Sequence, residues 1–138
     1  MNAKELMLGD WVYNDDSPAI VRTLAEGRIN GVSEGLFNPI PLTEGLLKSH
    51  GFTWTGSGDS TLMYGTTYGF PGIRYIFYVG LKKKTIEAHV AFPELDKPGR
   101  RKSNKVWLQE SECYLHNLQH AMRLVGVEIN ISPYFCDE

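Results

Sequence analysis

The sequence of 138 residues predicts a single α+β domain, spanning residues 1–138, with an antiparallel sheet, one short helix and one long C-terminal helix. Three observations predict this class: a well-delimited amphipathic helix near the C-terminus, a strong β-hairpin in the middle of the chain, and short strands with tight turns near the N-terminus. A chain of this length can bury a substantial hydrophobic core.

The N-terminal segment reads as a series of short strands. Turn residues separate apolar segments at residues 11–13, 19–24 and 28–32, which is typical of an antiparallel meander. The specific arrangement that we consider for this meander is a partly closed SH3-like barrel, in which short strands curl around a small core.

A short helix is predicted at residues 44–50. Thr43 is suited to the N-cap, because its hydroxyl can accept a hydrogen bond from the first turn. Gly51 is suited to ending the helix in a left-handed conformation, and Phe52 then falls where a Schellman motif would pack it on Leu47.

The middle of the chain contains the hairpin. Residues 73–81 and 85–92 are rich in β-branched and aromatic residues and are separated by three lysines, so we expect two antiparallel strands. A further strand is expected at residues 105–109. Residues 56–72 are expected to form a long loop that holds at most one strand, and residues 93–103 a polar loop.

The long helix is predicted at residues 112–125. Ser111 is suited to the N-cap, and Gly126 to the position that follows the last turn. Between them the apolar residues recur at helical spacing and form one stripe, made of Tyr114, Leu115, Leu118, Ala121, Met122 and Val125.

The composition predicts a protein that neither spans a membrane nor is secreted. No apolar segment approaches the roughly 20 residues that span a bilayer, and the N-terminus lacks a signal-peptide pattern, so we expect a cytoplasmic protein. The two cysteines lack disulfide-framework spacing and are expected to be thiols.

The net charge is -2, but residues 61–110 carry 9 basic and 4 acidic side chains, a local net charge of +5.

Three segments of the chain resemble a family of small proteins, of unassigned function, from Bacteroidetes genomes and their phages or mobile elements. The segments are AKEL and LGDWVY at residues 3–13, IPLTE, LL and GF at residues 40–52, and YLHNLQ with Gly126 at residues 114–126. The family pattern has a shorter middle and tends to carry a second amide where this chain has His120. The resemblance implies a phage or mobile-element background. It implies no particular activity, because the function of the family is unassigned.

One candidate metal site lies on the long helix. Cys113, His116 and His120 are spaced i, i+3, i+7, so on a regular helix they fall within about 60° of arc, opposite the apolar stripe. Thiolate and imidazole are zinc ligands, and a metal-dependent hydrolase with zinc is therefore one alternative hypothesis. Solvent-exposed histidines on a polar helix face are the structural alternative.

The basic residues of the middle segment suggest a second alternative, a nucleic-acid-binding protein. They lie at residues 82–105 on two predicted loops and their edges, and would form one patch if both loops lie on the same side. The candidates are Lys82, Lys83, Lys84, Arg100, Arg101, Lys102 and Lys105, with Lys97 nearby. Charged loops that keep strand edges soluble are the structural alternative.

The leading hypothesis is a non-enzymatic interaction or accessory protein without a cofactor. No nucleophile, base and orienting group occur together at a recognisable spacing, which argues against an enzyme. We expect a protein partner or self-association, and the sequence does not identify that partner.

Overall fold

The computed structural model describes residues 1–55, 61–68, 72–93, 101–110 and 113–127, and within these ranges it confirms the α+β class. The first six strands are β1 (Trp11–Asn14), β2 (Ser17–Ile20), β3 (Leu24–Ala25), β4 (Arg28–Ile29), β5 (Val32–Ser33) and β6 (Phe37–Pro39). The remaining strands are β7 (Thr53–Trp54), β8 (Thr61–Tyr68), β9 (Ile73–Gly80), β10 (Thr85–Pro93) and β11 (Arg101–Glu110). The helices are α1 (Glu44–Ser49) and α2 (Leu115–Leu124).

The N-terminal strands form two small antiparallel sheets, with strand orders β2-β1-β6 and β3-β4-β5. In the described residues these sheets are separate and do not join into one barrel. The predicted second strand ends early, at Ile20, because the Asn30 side chain accepts hydrogen bonds from the backbone N–H groups of Arg22 and Thr23 at 2.7 and 3.1 Å. The predicted third strand is divided into β4 and β5 by a turn in which Asn30 has a φ of 53°.

The N-terminal sheets enclose a small hydrophobic core of their own. Its buried side chains come from the first 37 residues of the chain, and they are Ala3, Leu6, Val12, Val21, Ile29 and Phe37. The segment is therefore a compact unit with its own packed interior.

The middle of the chain forms a five-stranded antiparallel sheet with the order β11-β10-β9-β8-β7. The predicted hairpin is confirmed as β9 and β10, which pair from Thr85 opposite Gly80 to Ala91 opposite Arg74. Strand β8 occupies eight residues of the segment that was expected to be mainly loop. Strand β11 begins at Arg101, four residues before the predicted start, and the rest of the predicted polar loop at residues 94–100 lies outside the described residues.

Helix α1 has the predicted caps. The Thr43 hydroxyl accepts a hydrogen bond from the Leu46 N–H at 3.2 Å. Gly51 has a φ of +90°, and the Phe52 N–H donates to the Leu47 carbonyl at 3.1 Å, which is the Schellman pattern. Local sequence signals were sufficient here because both caps use residues adjacent to the helix.

Helix α2 ends as predicted but begins later. Val127 N–H donates to the Met122 carbonyl at 2.9 Å, and Gly126 has a φ of +78°. The N-cap is Tyr114 and not Ser111, which lies outside the described residues together with Glu112. The start is delayed because residues 113–115 are held extended by backbone hydrogen bonds with residues 40–42.

The main core lies between α2 and one face of the five-stranded sheet. The apolar stripe of α2 is buried there with side chains from β8, β9 and β10, and it brings together Leu115, Leu118, Ala121 and Met122 with Leu62, Phe77, Val79, Ile86 and Ala88. Neither helix in the described ranges has the length and apolar character that crossing a bilayer would require.

Two leucines of α2 differ in burial, and this predicts a large difference in the stability lost when each is replaced by alanine. Leu118 is completely buried, whereas Leu124 is 60% exposed on the same helix. Leu118→Ala should lower the free energy of unfolding by about 2–5 kcal/mol, because it leaves a cavity in the core. Leu124→Ala, the matched control, should change it by no more than about 0.5 kcal/mol. Urea denaturation measures both, and equal losses would mean that the helix faces are assigned incorrectly.

Candidate functional site

The carboxylate of Asp10 is completely buried and lies against the polar side of α2. Its Oδ2 atom is 2.6 Å from Nε2 of His120, and its Oδ1 atom is 2.5 Å from Nη1 of Arg123. The backbone N–H of Met7 donates a third hydrogen bond, to Oδ2, at 2.8 Å. Three donors therefore converge on one carboxylate that solvent does not reach.

A second polar contact lies beside the first. The Gln119 side chain, on the same side of α2, accepts a hydrogen bond from the Trp11 N–H at 2.9 Å and donates one to the Gly9 carbonyl at 3.0 Å. Residues 9–11 are thus bound to α2 by both backbone and side chain. We call Asp10, Gln119, His120 and Arg123 the Asp10 cluster.

The turn that precedes β1 places Asp10 in this position. The Asp10 N–H donates to the Met7 carbonyl at 3.1 Å, and the Asp10 carbonyl accepts from Val21 N–H at 2.8 Å. Gly9 has a φ of +90°, and a Cβ atom there would lie 3.1 Å from Nη2 of Arg123. The backbone conformation therefore favours glycine, and a larger residue would also displace the guanidinium by a few tenths of an ångström.

The electrostatics of the cluster favour the ionised form of Asp10. Burial raises the pKa of Asp10, but the hydrogen bonds from His120, the Met7 amide and Arg123 together outweigh burial, so the pKa lies below its ordinary value. An ionised carboxylate only accepts hydrogen bonds, so Nε2 of His120 carries the proton that the two residues share. The charge of Asp10 is compensated by Arg123.

His116 lies next to the cluster in a less polar environment. Its ring is buried, stacks on Tyr114 at 5.9 Å between centroids, and meets the edge of the His120 ring at 5.7 Å. Its Nδ1 atom is buried and has no hydrogen-bond partner among the residues that the structure describes. Burial lowers the pKa of His116 to about 4, so this imidazole is neutral at physiological pH.

In many enzymes a carboxylate is hydrogen bonded to an imidazole in this way and orients that imidazole as the general base. In the part of the chain that the structure describes, no serine, threonine or cysteine is hydrogen bonded to His120. Arg123 binds the other oxygen of the Asp10 carboxylate. Two open grooves are described near the N-terminus, and residues such as Lys4, Glu5 and Glu26 line them. Neither of these two grooves is lined by the Asp10 cluster. The contacts of Asp10 with His120 and Arg123 form an ion-pair network that joins α2 to the turn before β1.

The predicted zinc ligands separate in the structure. Cys113 precedes α2, so the helical spacing used for the prediction does not apply to it, and its Sγ points to the carbonyl groups of Gly80 and Thr85 at 3.9 and 3.6 Å. His120 is bound to Asp10 instead. Within the described ranges no group of three histidine, cysteine or acidic side chains is arranged to hold a metal ion.

The predicted basic patch also separates. The turn with Lys82, Lys83 and Lys84 adjoins the end of β10 at Thr85, whereas Arg101 pairs with Pro93 at the other end of that strand, about 25 Å away at roughly 3.3 Å per residue. Lys102 is exposed near that second end, and Lys105 is bound to Glu87 at 2.7 Å. Arg100 and Lys97 lie outside the described residues. The described lysines therefore do not form one patch.

Sequence reasoning missed Asp10, Gln119 and Arg123 as cluster members. The available signal was the polar face of α2, where Gln119, His120 and Arg123 lie within one turn of each other. That signal does not identify which of the 16 acidic residues meets the face, because the contact joins residues more than 100 positions apart in the chain.

The fold and the cluster together define an α+β protein whose N-terminal unit is bound to a C-terminal helix by a buried ion-pair network. Comparison with protein families, curated proteins and solved structures found no match to the chain. The resemblance to Bacteroidetes and phage proteins therefore stays a prediction.

The lowered pKa of His116 predicts how stability depends on pH. The unfolded chain binds a proton on this histidine below about pH 6.5, whereas the folded chain does so only near pH 4, so the wild-type protein loses stability as the pH falls between these values. The loss attributable to His116 should reach about 2–3 kcal/mol at pH 4.5.

The measurement is urea denaturation of the wild type and of two variants without a titrating group at this position, His116→Leu and His116→Gln. Both variants should lose less stability between pH 7 and pH 4.5 than the wild type, whatever their stability at pH 7. Stability curves that run parallel in all three proteins would contradict the burial of a neutral His116.

Proposed function

We propose that the protein is a non-enzymatic interaction protein that binds another polypeptide along the open edge of β11. The observation that carries the proposal is the edge itself. Strand β11 is ten residues long, about 33 Å at roughly 3.3 Å per residue, and it is the terminal strand of the five-stranded sheet. One of its edges pairs with β10, and in the described ranges no strand pairs with the other.

An open edge offers a row of backbone N–H and carbonyl groups to an incoming strand. Such edges bind extended segments by adding a strand to the sheet, with main-chain hydrogen bonds giving affinity and side-chain pockets giving specificity. A ten-residue strand has enough of these groups to bind a segment of considerable length. The long edge therefore supports an interaction function.

The side chains along this strand support the same proposal. Val106 is 46% exposed and Leu108 is 42% exposed, so the strand presents apolar surface at the edge of the sheet. Burial of such surface by an added strand would be favourable, at about 25 cal/mol per Å² of apolar area. Trp107, between them, is partly buried and packs on the main core, which anchors the strand.

The hydrogen bonds of the Asp10 cluster agree with a non-enzymatic role. The histidine, the arginine and the carboxylate that would be the natural components of a reactive site are hydrogen bonded to one another. His116 lies beside these groups and is neutral at physiological pH. Its Nδ1 atom has no hydrogen-bond partner among the described residues. These groups contribute to the arrangement of the chain, and the exposed edge is left as the binding surface.

Site-specific photo-crosslinking tests this proposal. A benzophenone amino acid is placed at Val106 in cells that express the chain, and a second protein carries it at Leu36, which is similarly exposed at 49% but lies outside the five-stranded sheet. Irradiation should give a polypeptide adduct at position 106 that is several times more abundant than any adduct at position 36.

A Leu108→Lys substitution in the same chain should reduce the adduct at position 106, because it places a charge in the proposed interface without altering the buried core. Adducts of equal abundance at positions 106 and 36, or adducts at position 106 that are unaffected by Leu108→Lys, would contradict binding along this edge.

A further inference from the structure

We propose that the five-stranded sheet carries a second binding site on the face turned away from α2, where Arg74 binds the carboxylate of an aspartate or glutamate side chain of a partner polypeptide. We call this face of the sheet the outer face. The proposal goes beyond the β11 edge, because the site is built from side chains on a sheet face and does not need an added strand.

The alternation of side chains along the strands defines the outer face. Phe77 and Val79 of β9 belong to the main core. Arg74, Ile76 and Tyr78 of the same strand therefore point to the opposite face. The strand register places residues of β8 and β10 in rows with these three, and the rows are Met63, Tyr78 and Glu87, then Gly65, Ile76 and His89, then Arg74 and Ala91.

The guanidinium of Arg74 extends from its own row to Gly65 on β8. A Cβ atom built on Gly65 would lie 2.8 Å from Nη2, 3.0 Å from Nε and 3.3 Å from Cζ of Arg74. Because the two nitrogen atoms are nearer than the carbon atom that joins them, the edge formed by Nε and Nη2 faces the space above Gly65. Arginine forms paired hydrogen bonds with a carboxylate through an edge of this kind.

Arg74 has no counter-ion in the described part of the chain. No carboxylate there lies within ion-pair distance of its guanidinium. Glu87 points to the same face but lies two rows away, about 13 Å along the strands at roughly 3.3 Å per residue, and it is bound to Lys105 at 2.7 Å. The donors of Arg74 are therefore available to a carboxylate of a second molecule.

Glycine at position 65 leaves the space that this carboxylate would occupy. Any other side chain would begin with a Cβ atom close to Nη2 and Nε of Arg74 and would fill that space. The backbone does not account for the glycine, because its φ is not positive and β8 pairs with β9 without a bulge. A glycine inside a regular strand weakens it, and such glycines often mark the close approach of a ligand.

The surroundings of Gly65 suit a polypeptide. Ile76 is directly opposite Gly65, and Met63 and Tyr78 form the neighbouring row. All three side chains are partly exposed, so they offer contacts to an apolar side chain beside the bound carboxylate. Methionine, tyrosine and arginine are residue types that are enriched at protein interfaces.

The charges of the outer face do not favour a nucleic acid. A nucleic acid presents a phosphate at every nucleotide, and its affinity depends on several cations that neutralise these phosphates. Lys105, which is opposite His89 on this face, is already bound to Glu87, and that carboxylate would repel a phosphate backbone. One available guanidinium beside apolar side chains therefore fits a single acidic side chain of a polypeptide.

Selection of random linear peptides displayed on phage, with the purified full chain as the target, tests the proposal. The selected peptides should share an aspartate or glutamate next to an apolar residue. A synthetic peptide of the selected sequence should bind Arg74→Gln about tenfold more weakly than the wild type in fluorescence anisotropy, because a hydrogen-bonded charge pair is lost. Arg74→Glu should select lysine or arginine in place of the acidic residue.

Two further variants make the test specific. Arg22→Glu, the matched control, makes the same change of charge at an exposed arginine of the N-terminal unit and should select the same acidic peptides as the wild type. Gly65→Ala keeps Arg74 but fills the space at its N–H edge, so it should weaken the selected peptide severalfold. Its melting temperature, measured by circular dichroism as for every variant, should not fall, since alanine is no less favourable than glycine inside a strand.

The contradicting results are distinct. Peptides without a shared acidic residue, or an affinity that Arg74→Gln does not change, would overturn the site, and equal affinities of Gly65→Ala and the wild type would overturn the position of the carboxylate. A single-stranded thymidine oligonucleotide that binds through Arg74, when no acidic peptide is selected, would overturn the polypeptide in favour of nucleic acid. Peptides that bind independently of Arg74 but are lost with Leu108→Lys would leave only the proposed function standing.

Discussion

The buried carboxylate of Asp10 is the constraint on which the arrangement of the two halves of this protein depends. A carboxylate without solvent must be hydrogen bonded and paired, since an uncompensated buried charge costs several kcal/mol. His120 and Arg123 meet that requirement only if α2 lies against the turn before β1. Because the opposite side of α2 is packed on the five-stranded sheet, one helix fixes the N-terminal unit and the sheet at the same time.

This use of α2 has a consequence for function. His120 and Arg123 of this helix are bound to Asp10, and the ring of His116 is buried beside them. Strand β11, on which the proposed interaction relies, is the long strand at the edge of the five-stranded sheet. The interaction hypothesis follows from this division between a helix that holds the fold together and a long strand at the edge of the sheet.

The sequence predicted those features that depend on neighbouring residues. The Thr43 cap of α1 and the glycine ends of both helices are found because each cap uses groups within a few positions. The start of α2 was wrong because residues 113–115 bond to residues 40–42, which no local signal reveals. The Asp10 cluster was missed for the same reason. The two described parts of the predicted basic patch adjoin opposite ends of β10, because their positions depend on strand register. Contacts between distant segments decided each of these outcomes.

A double-mutant cycle on Asp10 and Arg123 tests the central role of the buried carboxylate most directly. Asp10→Asn, Arg123→Met and the double variant are compared with the wild type in urea denaturation at pH 7. The account predicts that each single change lowers the free energy of unfolding and that the double variant loses about 1–3 kcal/mol less than the sum of the two. Strictly additive losses, or an Asp10→Asn variant as stable as the wild type, would contradict it.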